Sequence, residues 1–151
     1  MSEHRRARAP LVLTGLAIAL VASVLFTRCG PQERTVVHVG NAKVSATVAR
    51  SNSEHQRGLQ GEPRPAYGEG MLFVWGDSLP RSFSIKSLDY DLDVIWISAD
   101  GRVVGVDRLS PNGPTDVTSP GPVEYVLEVP AGWASSAGVS KGSPVQVELT
   151  R

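Results

Sequence analysis

The chain has very little cysteine. Cys29 is the only one in 151 residues, so no intramolecular disulfide can form and no site built from several thiolates is possible. It also lacks an excess of either charge: Lys and Arg number 15 against 15 Asp and Glu. Residues 1–28 hold four of the basic residues and one acidic residue, which leaves 11 basic and 14 acidic for 29–151, a net of −3. A mildly acidic body without a basic stripe excludes nucleic acid as a partner, since phosphate binding needs clustered cations.

Catalytic and cofactor signatures are absent too. No Gly-x-Ser-x-Gly elbow, Gly-rich phosphate loop or His-x-x-x-His pair occurs, and no cofactor is implied. His38 and His55 lie 17 residues apart, a spacing that suggests no zinc site. The acidic "DYDLD" at 89–93 would need Gly at the sixth position and Glu at the twelfth to be a calcium loop; Val94 and Asp100 stand there instead.

One long apolar run is present. Arg5, Arg6 and Arg8 precede the uncharged stretch 11–26, "LVLTGLAIALVASVLF". Basic residues on that side keep the N-terminus in the cytoplasm and send the downstream chain across the membrane. Three fates compete: a cleaved signal, a lipidated Cys29 just after the run, or a retained single anchor, which is the expectation preferred here. Arg28 occupies the position where a lipobox has a small residue. The expected organisation is therefore an anchor or signal with linker over 1–32, and one domain over 33–151 on the extracytoplasmic side of the cell membrane.

That domain reads as mainly β. Thr35–Val39 and Ala42–Ala49 flank "GN", a two-residue hairpin turn, and the second run alternates apolar with polar residues. Ser51 and Glu54 are spaced as a capping box at the start of a short helix over 51–59. Further strands are expected over 71–75, 82–86, 92–98, 102–109, 123–129 and 145–149, with a turn over 76–80. A loop spans 110–122, and a helical turn comes after Pro130. These short strands predict a small barrel or strongly curved, mostly antiparallel sheet with one or two short helices.

The segments "EHQRGLQG" (54–61), "GMLFVW" (70–75), "SFSIKSLDYDLDVIWI" (82–97), "DGRVV" (100–104) and "YVLEVPAGWA" (125–134) occur in an order that resembles the domain-of-unknown-function 192 family, a widespread prokaryotic family. The resemblance covers roughly residues 35–150. It implies a compact β-rich domain, often behind a signal or anchor, and carries no established reaction. Phe83, Lys86, Leu92 and Asp93 match the family's central motif, whereas Ser84, Ile85, Ser87, Leu88 and Asp91 depart from it.

Asp93 is the residue that asks for an explanation, because it interrupts an apolar strand. Leu92, Val94 and Trp96 share one face, and Asp93 shares the other with Ile95 and Ile97. A buried carboxylate needs a cation or several donors, and Lys86 and Arg57 are the expected partners. The plainer reading is an ion pair that fixes sheet register; the functional one places the pair at a pocket mouth. Met71, Phe73 and Phe83, with Trp75 and Trp96, either fill the barrel or line a ligand cavity. Two functions are compatible with these residues. One is a membrane-tethered, non-enzymatic binding or accessory module engaging an envelope partner or small ligand. The other is a small hydrolase-like or isomerase-like enzyme using Asp93 with Lys86 or Arg57.

Overall fold

A computed structural model describes residues 32–85 and 88–149. The apolar run 11–26, Cys29 and Lys86 lie outside them. Among the described residues no helix is long and apolar enough to cross a membrane.

The chain runs β1 (Arg34–Val39), β2 (Ala42–Ala49), α1 (Asn52–Arg57), β3 (Glu69–Leu79), β4 (Ser82–Ser84), β5 (Leu92–Ile97), β6 (Val103–Leu109), β7 (Asp116–Thr118), β8 (Val123–Pro130), α2 (Trp133–Ser136) and β9 (Val145–Val147). Seven strands form one curled, mostly antiparallel half-barrel sheet in the order β6-β5-β8-β3-β2-β1-β9. The mainly β, strongly curved architecture expected from the sequence is the one observed.

Local chemistry explains the elements. Gly40 takes φ 59° in the β1–β2 turn, a conformation open to glycine without steric cost. Ser51 and Glu54 close the capping box reciprocally, with the Glu54 carboxylate also accepting from the Arg50 amide. These amide donors hold the Glu54 carboxyl down at about 2. β2 and β3 pair in parallel, which demands a crossover, and α1 with the Pro- and Gly-rich stretch after it supplies that connection.

Two details differ from the sequence reading. The turn expected over 76–80 is largely strand, because β3 continues to Leu79 through a register irregularity against β8. The loop expected over 110–122 contains β7, which pairs with β4 in a separate two-stranded ribbon. Its backbone groups are satisfied by that short pairing, which length and composition alone could not reveal.

The sheet has an apolar cluster on each face. Leu72, Ile95, Ile97, Leu127 and Val129 join Val37, Val39, Val44 and Trp133 on one side. Met71, Phe73, Leu92, Val94, Trp96 and Val126 face the other way. β3, β5 and β8 therefore bury both of their faces, and each fully buried Leu, Ile or Val contributes about 1.5–3 kcal/mol. At one end the sheet's two edges meet: the Val103 amide donates to Ser143 O at 2.9 Å, and the Val145 amide donates to Gly101 O at 2.8 Å. A Cβ at Gly101 would lie 2.8 Å from Val145 O, so the closure requires glycine there.

Candidate functional site

Asp93 is 3 % exposed and fully engaged. Its Oδ1 accepts from Arg108 Nε at 2.9 Å and from Arg108 Nη2 at 2.7 Å. Its Oδ2 accepts from the backbone amides of Gly132 at 2.9 Å and Ala134 at 3.0 Å. The second pair sits at the start of α2, whose own N-cap residue, Gly132, offers no side chain. Asp93 thus caps α2 from a neighbouring strand while joining β5 to β6.

Among the described residues the cation is Arg108, and not Arg57 as the sequence suggested. The reason is a bulge. Ile97 pairs with Val103 but Trp96 pairs with Gly105, so Val104 is an extra residue in β6. From there the register brings Arg108 opposite Asp93. An unbroken ladder would have set Asp107 there, carboxylate against carboxylate. Asp107 instead lies opposite Val94 and accepts from Trp96 Nε1 at 2.6 Å.

Arg57 belongs to a cavity of about 410 Å³ on the other side of the sheet, lined also by Phe73, Trp75, Phe83, His55 and Glu128. Phe73 and Phe83 meet edge to face, 4.7 Å apart at 88°. Trp75 lies near-parallel to Phe73 at 16° and stands at 85° to Phe83. His55, on α1, is 4.5 Å from the Trp75 ring and donates through Nε2 to Ala49 O at 3.0 Å. The Arg81 guanidinium, ion-paired with Asp77, lies 4.5 Å from the Trp75 centroid. Of the residues singled out in the sequence, the structure brings Arg57, Phe73 and Phe83 together here. Met71 is buried among the same apolar cluster but lines a different depression, beside Leu59 and Pro63.

The residue that sequence reasoning passed over is Glu128. It is 4 % exposed, and its register partners are Met71 on β3 and Val94 on β5, both apolar. No described side chain forms a hydrogen bond or ion pair with its carboxyl. Burial pushes that carboxyl up to about 8, so it is protonated at neutral pH. Its backbone is held close: a Cβ on Gly70 would fall 2.2 Å from Glu128 O, so only glycine lets β3 approach β8 at that rung. The signal for Glu128 was the one that exposed Asp93, a carboxylate inside an apolar strand. Among the described residues no group of three or more His, Cys, Asp or Glu is placed to hold a metal.

Comparison with known proteins fits this architecture. No curated protein shows a significant match to the chain. A crystal structure provisionally described as a transcription regulator from Sinorhizobium meliloti 1021 superposes with a TM-score of 0.71 at 27 % identity, covering 77 % of this chain and 95 % of that one. A protein of unknown function from Novosphingobium aromaticivorans DSM 12444 gives 0.71 at 24 % identity, covering 78 % of this chain and 88 % of that one; this likeness concerns the fold. The sequence profile of the DUF192 family, described as Uncharacterized ACR, matches residues 35–147, and the chain belongs to that family.

Proposed function

We propose that the domain is a non-enzymatic binding module that takes a small ligand in the cavity over Glu128, and that residues 11–26 tether it on the extracytoplasmic side of the membrane. The observation that carries the binding reading is Glu128 itself. An acid without a described partner, 4 % exposed on a cavity wall, weakens the fold unless something is gained there. A volume of about 410 Å³, with Phe73, Trp75 and Phe83 on its wall and polar side chains such as Gln56, Arg57 and Ser84 around them, suits a small organic molecule. The tether rests on the basic-then-apolar N-terminal sequence.

The enzymatic alternative finds less support. Each Asp93 oxygen already accepts two hydrogen bonds, so the carboxylate has little capacity left to act as a base. A regulator's role, as described for the Sinorhizobium protein, draws no support from the charge of this domain, 14 acidic against 11 basic residues over 29–151.

The test of the binding reading is a thermal-shift screen of the full chain in maltoside detergent. At least one small molecule is expected to raise Tm, as any ligand of the native state must. Ser84→Trp, which plugs the cavity from an exposed position on β4, should abolish that shift. A shift that survives Ser84→Trp, or none across a chemically broad library, overturns the reading. The tether is tested by fusing alkaline phosphatase to the C-terminus: activity is expected, and an inactive fusion would refute the extracytoplasmic siting.

A further inference from the structure

We propose that the cavity takes a small organic cation of the alkylated-ammonium class, with the charged nitrogen held among the rings and against the Glu128 carboxylate. This selectivity rests on the cavity being a ligand site, as proposed for it above.

Three observations converge. First, Glu128 is the acidic group on the cavity wall, and none of the described side chains neutralises it. A permanent cation supplies the missing counter-charge in a place where water cannot. Second, the rings enclose the space from two directions. Phe73 and Trp75 are within 16° of parallel, while Phe83 stands at 88° to one and 85° to the other. The ring quadrupole attracts an alkylammonium more strongly than a neutral group of equal size, because its positive charge meets the negative face of the ring. Third, a cation already rests on one of these rings, since Arg81 lies 4.5 Å from the Trp75 centroid.

Other charged groups near the site fit this arrangement. Among the described residues, Arg57 and His55 are the further titratable groups lining the cavity, both from α1. Arg57 is exposed, so solvent and salt screen its repulsion, and it would meet the outward, polar end of a ligand. Tyr90, from the segment before β5, senses the Glu128 charge, and burial with that charge raises its hydroxyl above the ordinary range. β3 and β5 present Met71 and Val94 opposite Glu128 and bring no charge of their own.

Binding carries a proton balance. The resting Glu128 carboxyl is neutral, so a cation binds its carboxylate form and one proton passes to solvent. Affinity should therefore rise with pH through the Glu128 titration.

The decisive experiment compares choline with 3,3-dimethylbutan-1-ol, its uncharged carbon isostere, by calorimetry on the full chain in maltoside detergent. Choline is expected to bind at least about tenfold more tightly than the isostere at about pH 9. Its affinity should fall by roughly one to two orders of magnitude at about pH 6. Near neutral pH, buffers of different ionisation heat should report release of about one proton. Glu128→Gln should erase both the preference and the pH dependence while melting no lower than the parent. His55→Asn should leave the pH dependence in place. Equal or tighter binding of the neutral isostere overturns the cation but leaves the cavity as a ligand site. Failure of both probes also overturns the cation, and the thermal-shift screen then judges the cavity separately. Persistence of the choline preference in Glu128→Gln would show that the carboxylate is not the recognising group.

Discussion

Asp93 and Glu128 stand one rung apart on adjacent strands, on opposite faces of the same sheet, and the fold treats them in opposite ways. Asp93 pairs in register with Val129, and Glu128 with Val94. On one face Asp93 receives four hydrogen bonds and ties two strands to a helical turn. On the other face Glu128 receives none from the described residues and looks onto a cavity. The same chemical group, equally buried, is tied into the architecture in one place and left without a described partner in the other. What separates them is the supply of donors. A bulge in β6 and the start of α2 were brought to Asp93, while aromatic rings were brought to Glu128.

Removing the first carboxylate should have the largest effect. Asp93→Ala leaves two α2 amides without an acceptor and Arg108 without its anion, and is expected to lower stability by about 3–4 kcal/mol in urea melts at neutral pH. A loss under about 1 kcal/mol would mean that the four bonds merely decorate a fold fixed by packing.

Removing the second acid should do the reverse. The folded-state value of Glu128, about 8, lies above the ordinary 4.5, so the native protein retains a proton that the unfolded chain has released. Stability must then fall as pH rises from about 4.5 to about 8. Glu128→Gln should flatten that slope and gain on the order of 3 kcal/mol at about pH 8.5, with the gain shrinking towards zero near pH 4.5. Melting curves across this window would break the comparison if parent and variant tracked each other.

A smaller effect concerns the helix beside the Glu128 cavity. Ser51→Ala removes one arm of the capping box of α1, the helix that carries His55 and Arg57. It is expected to cost about 1 kcal/mol, with faster amide exchange confined to 52–58. Exchange that stays unchanged would show α1 to be held by its contact with Trp75 rather than by its cap.

The sequence made local features legible and left relational ones hidden. The Gly40–Asn41 turn, the Ser51–Glu54 box and the alternation of β2 each depend on neighbours a few residues away, and each appears as read. The two faces of β5 also came from parity alone, with Leu92, Val94 and Trp96 on one side and Ile95 and Ile97 on the other. The partner of Asp93 did not. It depends on one extra residue in β6 and on the placing of α2, and no window of sequence contains both. Of the residues singled out from the sequence, Arg57, Phe73 and Phe83 line one cavity, while Met71 lines another depression and Asp93 is occupied by Arg108 and two backbone amides. Glu128 breaks the apolar pattern of its strand as Asp93 does, but the cavity beside it is formed by α1, β3 and β4, which are remote from it in sequence.

The extra residue in the β5–β6 hairpin has a consequence for how this chain can change in length. Deleting Val104 would straighten the ribbon and keep every rung beyond it matched as before. Inserting one residue after Gly105 would slide Asp107 into the place of Arg108, setting like charge against like charge beneath α2. The hairpin should therefore accept shortening at that point and reject lengthening, a directional bias written into a single kink.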